Sequence, residues 1–290
     1  MNRIVDTYSA FLSFWEKYGG RSTTEKIDGW EKEYMSAWPE LLRKQVGDYE
    51  DMGMDWKSVA EDRVFPYLGE RLERMSRARA LLSVLIDQVH ASAEETFARD
   101  LDITYVIYAG LGCGAGWLTE LEGGTAILLG LEMIVENGWT EEDSLRGLLA
   151  HELGHAVHAL LRGEPDLSRG KGPLWQLYAE GFAQRCEHMI MESETWHAGL
   201  AVNPPDWLDW CEDNRVWLAG KFLQAVAQGE DVRPFFGSWY EIEGRKHCGH
   251  YLGHEVILRL ERSSDLETIA LLDDVDRAVT GVLEEMITEG

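Results

Sequence analysis

Positive charge is what this sequence has least of. Over 290 residues, 27 Lys and Arg stand against 52 Asp and Glu, a formal net charge of −25. So negative a surface repels phosphate backbones and anionic lipid, which sets nucleic acid and membrane aside as partners. Cysteine is scarce as well. The four are Cys113, Cys186, Cys211 and Cys248, with no C-x-x-C. A secreted disulfide scaffold would be denser, so these read as reduced thiols of a cytoplasmic protein. The opening MNRIVDTYSAFLSFWEKYGG has Glu16 and Lys17 where a secretory leader needs an apolar core. Long apolar runs are missing too. Residues 103–119 carry no charge, but the run is shorter than the roughly 20 residues of a spanning helix. It is also broken by Gly110, Gly112, Gly114 and Gly116. G-x-x-x-x-G-K-[ST], G-x-S-x-G, internal repeats and Pro/Gly/Ser linkers are all absent.

What remains is an ordinary globular composition, 45% hydrophobic and 27% charged, at a length that suits one large domain or two small ones. Mixed apolar and charged residues at helical spacing predict helices over 8–18, 24–46 and 67–98. Arg71, Arg74, Arg77 and Arg79 on the third read as a solvated face paired with Glu70 and Glu73. The texture changes at Asp100. Residues 103–108 are β-branched and aromatic and read as a strand, and 125–129 read as a second. Helix returns from Thr140, whose Glu141, Glu142 and Asp143 suit a helix start. The expected organisation is an N-terminal helical region, 1–99, and a second region, 100–290, packed as one unit. The expected fold is α+β and mostly helical.

The chemistry is concentrated in His151-Glu152-Leu153-Gly154-His155, an H-E-x-x-H inside the helix that begins near Thr140. Residues four apart on a helix lie about 40° apart around the axis and one turn along it. Both imidazoles therefore reach one metal ion. Glu152 beside them is placed to take the proton of an attacking water. A catalytic zinc wants a third protein ligand. The metzincin pattern fails, because His158 and Leu161 stand where its Gly and His would fall. The downstream candidates are Glu164, Asp166, Glu180, Glu187 and His188. Glu164 and Asp166 flank Pro165 close to the helix end. Glu180 lies in a predicted second helix, where Gly181 and Ala183 would allow close packing on the first. Gln184 and Glu187, one and two turns beyond Glu180, are within reach to orient a ligating histidine, although the commoner role of such residues is a plain polar face.

Two further segments carry polar chemistry. Near the C-terminus His247, His250, Tyr251 and His254 fall on one stripe of a helix running to about Arg262. Three histidines and a tyrosine are unlike the Lys and Glu of a solvated face, so the stripe is expected to line the cleft. A side chain there would donate a hydrogen bond to a developing oxyanion, with Tyr251 the first choice and His250 the second. The other segment, Gly110-Leu-Gly112-Cys-Gly114-Ala115, satisfies G-x-G-x-x-[GA] after a strand. A dinucleotide fingerprint needs a long helix straight after it, and Gly123-Gly124 and a strand follow instead. A turn between strands is the better reading.

The Trp175-x-x-x-x-Glu180-Gly181-Phe182-Ala183 run resembles the third-ligand helix of the gluzincin metallopeptidases, the clan of thermolysin-like enzymes and the aminopeptidase N family. Residues 100–262 as a whole resemble the YjaZ-like group, bacterial predicted zinc-dependent proteases. The matching pieces are the Gly-Gly-Thr-Ala strand, the H-E-x-x-H helix, the Glu-Gly-Phe-Ala helix and a late Tyr-Leu-Gly helix. The resemblance implies a zincin-like core of a small sheet and two metal-bearing helices. It implies one zinc per chain on His151, His155 and Glu180, with Glu152 as general base. The expected function is zinc-dependent hydrolysis of a peptide or protein substrate, with strand 125–129 as a sheet edge that pairs with the peptide. The alternative is a catalytically silent, zinc-stabilised protein that binds a partner through the same cleft. A weaker one is a nucleotide-binding regulator using the Gly110 turn.

Overall fold

The computed structural model describes residues 2–164, 172–199 and 202–289. Helix dominates, alongside one mixed sheet of four strands, so the α+β expectation is met at that level. Two compact units divide the chain, Met1–Gln88 with Asp100–Leu145 and Val89–Arg99 with Arg146–Gly290. No helix among the described residues is long and apolar enough to cross a membrane.

The first unit holds β1 (Arg3–Asp6), α1 (Tyr8–Tyr18), α2 (Thr23–Gly29), α3 (Pro39–Asp51), α4 (Trp56–Val59) and most of α5 (Phe65–Phe97). After these come β2 (Thr104–Tyr108), β3 (Gly116–Leu121), β4 (Gly124–Gly130) and α6 (Leu131–Glu136). The helices expected over 8–18 and 67–98 are α1 and α5. The helix expected over 24–46 is broken. Trp30–Tyr34 winds as a π-helix, Met35–Ala37 as a 3-10 turn, and Trp38 leaves helical space at φ −130° and ψ 67°. Pro39 is the cause. It pushes the preceding residue out of the α region, then opens α3 where its missing N–H costs nothing.

Strand order in the sheet is β1-β2-β4-β3. β1, β2 and β4 run parallel, and β3 is antiparallel to β4. The strand at 125–129, expected at a sheet edge, is therefore internal. The reason is a hairpin. After β2 the chain lays down β3 on the outside first. It then turns through Glu122 and Gly123, at φ +54° and +79°, the two positive values a type I′ turn requires. The returning strand fills the slot beside β2. Ala126, Ile127, Leu128 and Leu129 are all fully buried, the continuous apolar run of a strand covered on both faces. With both sides hydrogen-bonded, β4 has no free edge to offer a peptide. The sheet edges are β1 and β3.

Of the α5 arginines, Arg74 and Arg77 are exposed as expected, whereas Arg71 and Arg79 are not. Arg71 is buried and ion-paired with Glu136. Arg79 reaches Asp6 at 2.5 Å and Arg77 reaches Glu141 at 3.8 Å. Their partners come from elements distant in sequence, so the local Glu70 and Glu73 were the wrong place to look.

The glycine-rich turn after β2 is occupied by the protein itself. Ala109 N donates to the Tyr34 hydroxyl at 3.2 Å, and Ala109 O accepts from Trp30 Nε1 at 3.0 Å. Leu111 N donates to Gln45 Oε1 at 3.1 Å, and Leu111 O accepts from the Tyr49 hydroxyl at 2.7 Å. Between them, Gly110 N and Gly112 N both donate to the carboxylate of Glu132, at 2.8 and 3.1 Å. Glu132 is fully buried, and burial raises its pKa against the lowering effect of these donors. A Cβ on Gly110 would collide with the Tyr108 ring and Gln45, which explains the glycine. The amides of residues 109–112 are already bonded within the protein, which argues against a phosphate there.

Replacing Glu132 with Ala orphans two buried N–H groups, each costing about 1–3 kcal/mol. The urea midpoint of Glu132→Ala is expected to fall well below that of wild type. Glu132→Gln, which keeps one acceptor, should lose less. Equal midpoints for Ala and wild type would mean that the turn finds other acceptors.

Candidate metal centre

The second unit carries the motif. It contains the end of α5 and most of α7 (Glu142–Arg162). α8 (Pro173–Met191), α9 (Trp207–Asp213), α10 (Arg215–Gln228) and α11 (Arg233–Phe236) come next. α12 (Cys248–Leu260), α13 (Leu266–Ala270) and α14 (Val275–Glu289) complete it. Within it α8 is wedged between α7 and α12. Gly181 and Ala183 sit two residues apart, about 200° around the helix, and so face opposite neighbours. Ala183 meets α7 at Gly154, where an added Cβ would stand 2.8 Å from the Ala183 backbone. Gly181 meets α12 at Gly253, where backbone lies against backbone with no room for a methyl on either side. The sequence had pointed both small residues at the H-E-x-x-H helix; only Ala183 goes there.

This close packing brings imidazoles from two helices onto one carboxylate. Glu180 Oε2 lies 3.1 Å from His151 Nε2, 3.6 Å from His155 Nε2 and 3.3 Å from His250 Nε2. The ligand atoms of His151, Glu180 and His250 are all within 4.8 Å of one another. Behind them stands a second carboxylate. Glu187 is fully buried, two turns from Glu180 on the same face of α8. Its Oε2 lies 2.6 Å from His197 Nδ1 and 3.6 Å from His151 Nδ1, and its Oε1 accepts from His197 N at 3.0 Å. The His151 ring thus spans two carboxylates, Nε2 toward Glu180 and Nδ1 toward Glu187. A carboxylate behind a ligating histidine fixes the ring and its tautomer.

Electrostatics follow from the burial. Burial pushes Glu180 up, but His155, His151 and His250 outweigh it and hold the group well below the usual carboxylate range. Glu187 is likewise raised by burial and brought down to about 2 by His197 and His151. For His151, burial lowers the pKa, while the hydrogen bond to Glu180 and the nearby Glu187 carboxylate override it and raise the value to about 10. His250 is held well below its ordinary value, by burial first and against the pull of Glu180. Glu152 is nearly buried, and its Oε2 has no hydrogen-bond partner. Burial raises its pKa, with His155 and His151 opposing.

The remaining candidates separate. His247 and His250 lie together, ring centroids 5.3 Å apart, and His250 is 5.2 Å from His151. Tyr251 sits one residue on, about 100° around the helix, and packs on Trp196 at 5.8 Å. The charges around its hydroxyl are Glu255, Glu212, Cys211 and Arg215, none of them in the cluster. His254 stacks near His188 and Trp196, at 4.6 and 5.0 Å. The stripe does not line one cleft as a unit: α12 is buried on all sides over 248–254, and its polar side chains go to different neighbours. Of the rival third ligands, Glu164 lies 3.6 Å from Arg162 and His188 faces His254. Asp166 lies outside the described residues. Gln184 is buried, its amide reaching Thr195 O at 3.5 Å. His197, in the 3-10 turn His197–Gly199, was not singled out from the sequence, since no spacing ties it to the motif.

Imidazole nitrogen and carboxylate oxygen are the donor set zinc takes, and the residues present fit it. The buried carboxylate of Glu187, the half-buried one of Glu180 and the histidines around them leave donor atoms facing one another, with Glu152 Oε2 orphaned beside them. No protein-family model matches the chain, and neither the curated proteins nor the solved structures compared with it give a match.

His151 must shed a proton before Nε2 can ligate, and its pKa is raised to about 10. Zinc affinity is therefore expected to climb with pH through the neutral range and level off near that value, by about tenfold per unit for one displaced proton. Chelator-competition titrations at several pH values check this. In the same assay Glu180→Ala should lose zinc, and Glu187→Ala should weaken it by about 10- to 100-fold. Unchanged affinity in Glu180→Ala would move the third ligand elsewhere.

Proposed function

We propose that the chain is a zinc-dependent metallopeptidase of gluzincin type, with a zincin-like core and one zinc held by His151, His155 and Glu180. The observation that carries this reading is the meeting of the H-E-x-x-H pair with Glu180 from the next helix, at 3.1 and 3.6 Å. When bound, zinc polarises a carbonyl and makes water nucleophilic near neutral pH. His151 is held in place by Glu187 on its far nitrogen. Glu152, nearly buried with Oε2 unpartnered, accepts the proton of the attacking water and passes it to the leaving amine. Its raised pKa makes it a stronger base than an exposed carboxylate. Of the two side chains considered for the oxyanion, His250 is the one at the cluster, while Tyr251 packs on Trp196. The substrate class is a peptide or protein. A cytoplasmic location belongs to the same proposal and is supported by four free cysteines.

A specific observation favours a second reading. With His250 Nε2 at 3.3 Å from Glu180 Oε2, four protein groups surround the candidate centre, as in structural zinc sites. A catalytically silent, zinc-stabilised binding protein is the result if no position opens.

Glu152→Gln separates the two. It is expected to keep its zinc and fold while turnover on a peptide library falls by about a hundredfold to ten-thousandfold. A Glu152→Gln protein as active as wild type defeats the mechanism. A zinc-loaded wild type inert on every peptide supports the silent reading.

A further inference from the structure

We propose that His250 is a fourth protein ligand of the metal, bound through Nε2, and that it closes the site at rest. This rests on the metal centre proposed above and concerns how that centre is regulated. The H-E-x-x-H helix supplies two imidazoles, and α12 brings a third. Glu180 Oε2 has three Nε2 atoms around it, at 3.1 Å from His151, 3.3 Å from His250 and 3.6 Å from His155. Donors on a tetrahedral zinc with bonds of 2.0–2.1 Å stand about 3.3 Å apart, and the three separations bracket that value. His250 is closer to Glu180 than the second motif histidine is. It also belongs, with His151 and Glu180 and without His155, to one of two triplets among the described residues whose ligand atoms all lie within 4.8 Å of one another.

The ring is buried, and α12 cannot drift away from α8, because Gly181 and Gly253 lock the two backbones together. The imidazole itself is less restrained. Neither its Nδ1 nor that of His151 has a hydrogen-bond partner, but His151 Nδ1 has the Glu187 carboxylate 3.6 Å behind it. Ligating histidines are normally anchored through the second nitrogen. His250 therefore has the position of a ligand without a carboxylate behind its ring, and side-chain rotation would take it off the metal.

Ligation has a chemical consequence. A nitrogen whose lone pair is on the metal carries no proton, so His250 Nε2 cannot also donate to an oxyanion while it ligates. Four protein donors fill a tetrahedron, and a substrate carbonyl or water gains access only when His250 gives way.

Cobalt(II) in place of zinc, on the full chain, reads the ligand count without reference to activity. Wild type is expected to show four-coordinate visible bands that azide barely moves. His250→Ala should bind cobalt at least about 10-fold more weakly, and its bands should shift when azide enters the vacated position. Zinc-edge X-ray absorption on wild type needs no variant and should count three imidazoles. Two imidazoles at that edge, or a folded His250→Ala with unchanged affinity and spectrum, overturns the fourth ligand and leaves the three-ligand centre standing. A wild type that holds neither cobalt nor zinc overturns the centre itself and this inference with it.

Discussion

The contact on which the second unit depends is Glu180 with its imidazoles. A carboxylate taken out of water is costly unless hydrogen-bonded or paired. Glu180 finds its partners only because three helices approach to backbone distance around it. Gly154 against Ala183 sets the spacing of α7 and α8, and Gly181 against Gly253 sets that of α8 and α12. Widening either by one methyl would pull a histidine from the carboxylate and leave a buried imidazole and a half-buried carboxylate without their partner. Small residues and charged residues are thus two halves of one arrangement.

Glu187 extends the same logic by one shell. It lies two turns along α8 and orients His151 from behind, together with His197. The His151 ring between two carboxylates holds its proton tightly, which is the reverse of what burial alone would do. In the proposed centre, His151 would give up that proton to ligate, so metal binding and proton release would be one event.

The first unit uses a buried carboxylate to the opposite end. Glu132 accepts from Gly110 N and Gly112 N and completes a turn whose other polar groups are satisfied by Tyr34, Trp30, Gln45 and Tyr49. The difference between the two glutamates is their partners. Backbone amides cannot exchange their role, whereas imidazoles can trade a carboxylate for a metal.

Local patterns carried as far as local physics reaches. The i, i+4 spacing of His151 and His155 is a property of any helix, so the motif was legible, as were α1, α5, β2 and β4, whose apolar periodicity needs no neighbour. Glu180 was legible in part, through the small residues beside it, and Glu187 through its helical offset. Strand order was not. β4 reads the same at an edge or in the middle until the positive-φ turn at Glu122 and Gly123 folds β3 along its outer side. Arg71 reads as solvated until Glu136, 65 positions away, covers it. His250 joining the cluster while Tyr251 leaves it was decided by the rotation of α12 about its own axis. That rotation is set by the Gly181–Gly253 contact, between residues 72 positions apart. His197 had no pattern at all. Periodicity places a side chain on its own element, and only packing determines which elements face each other.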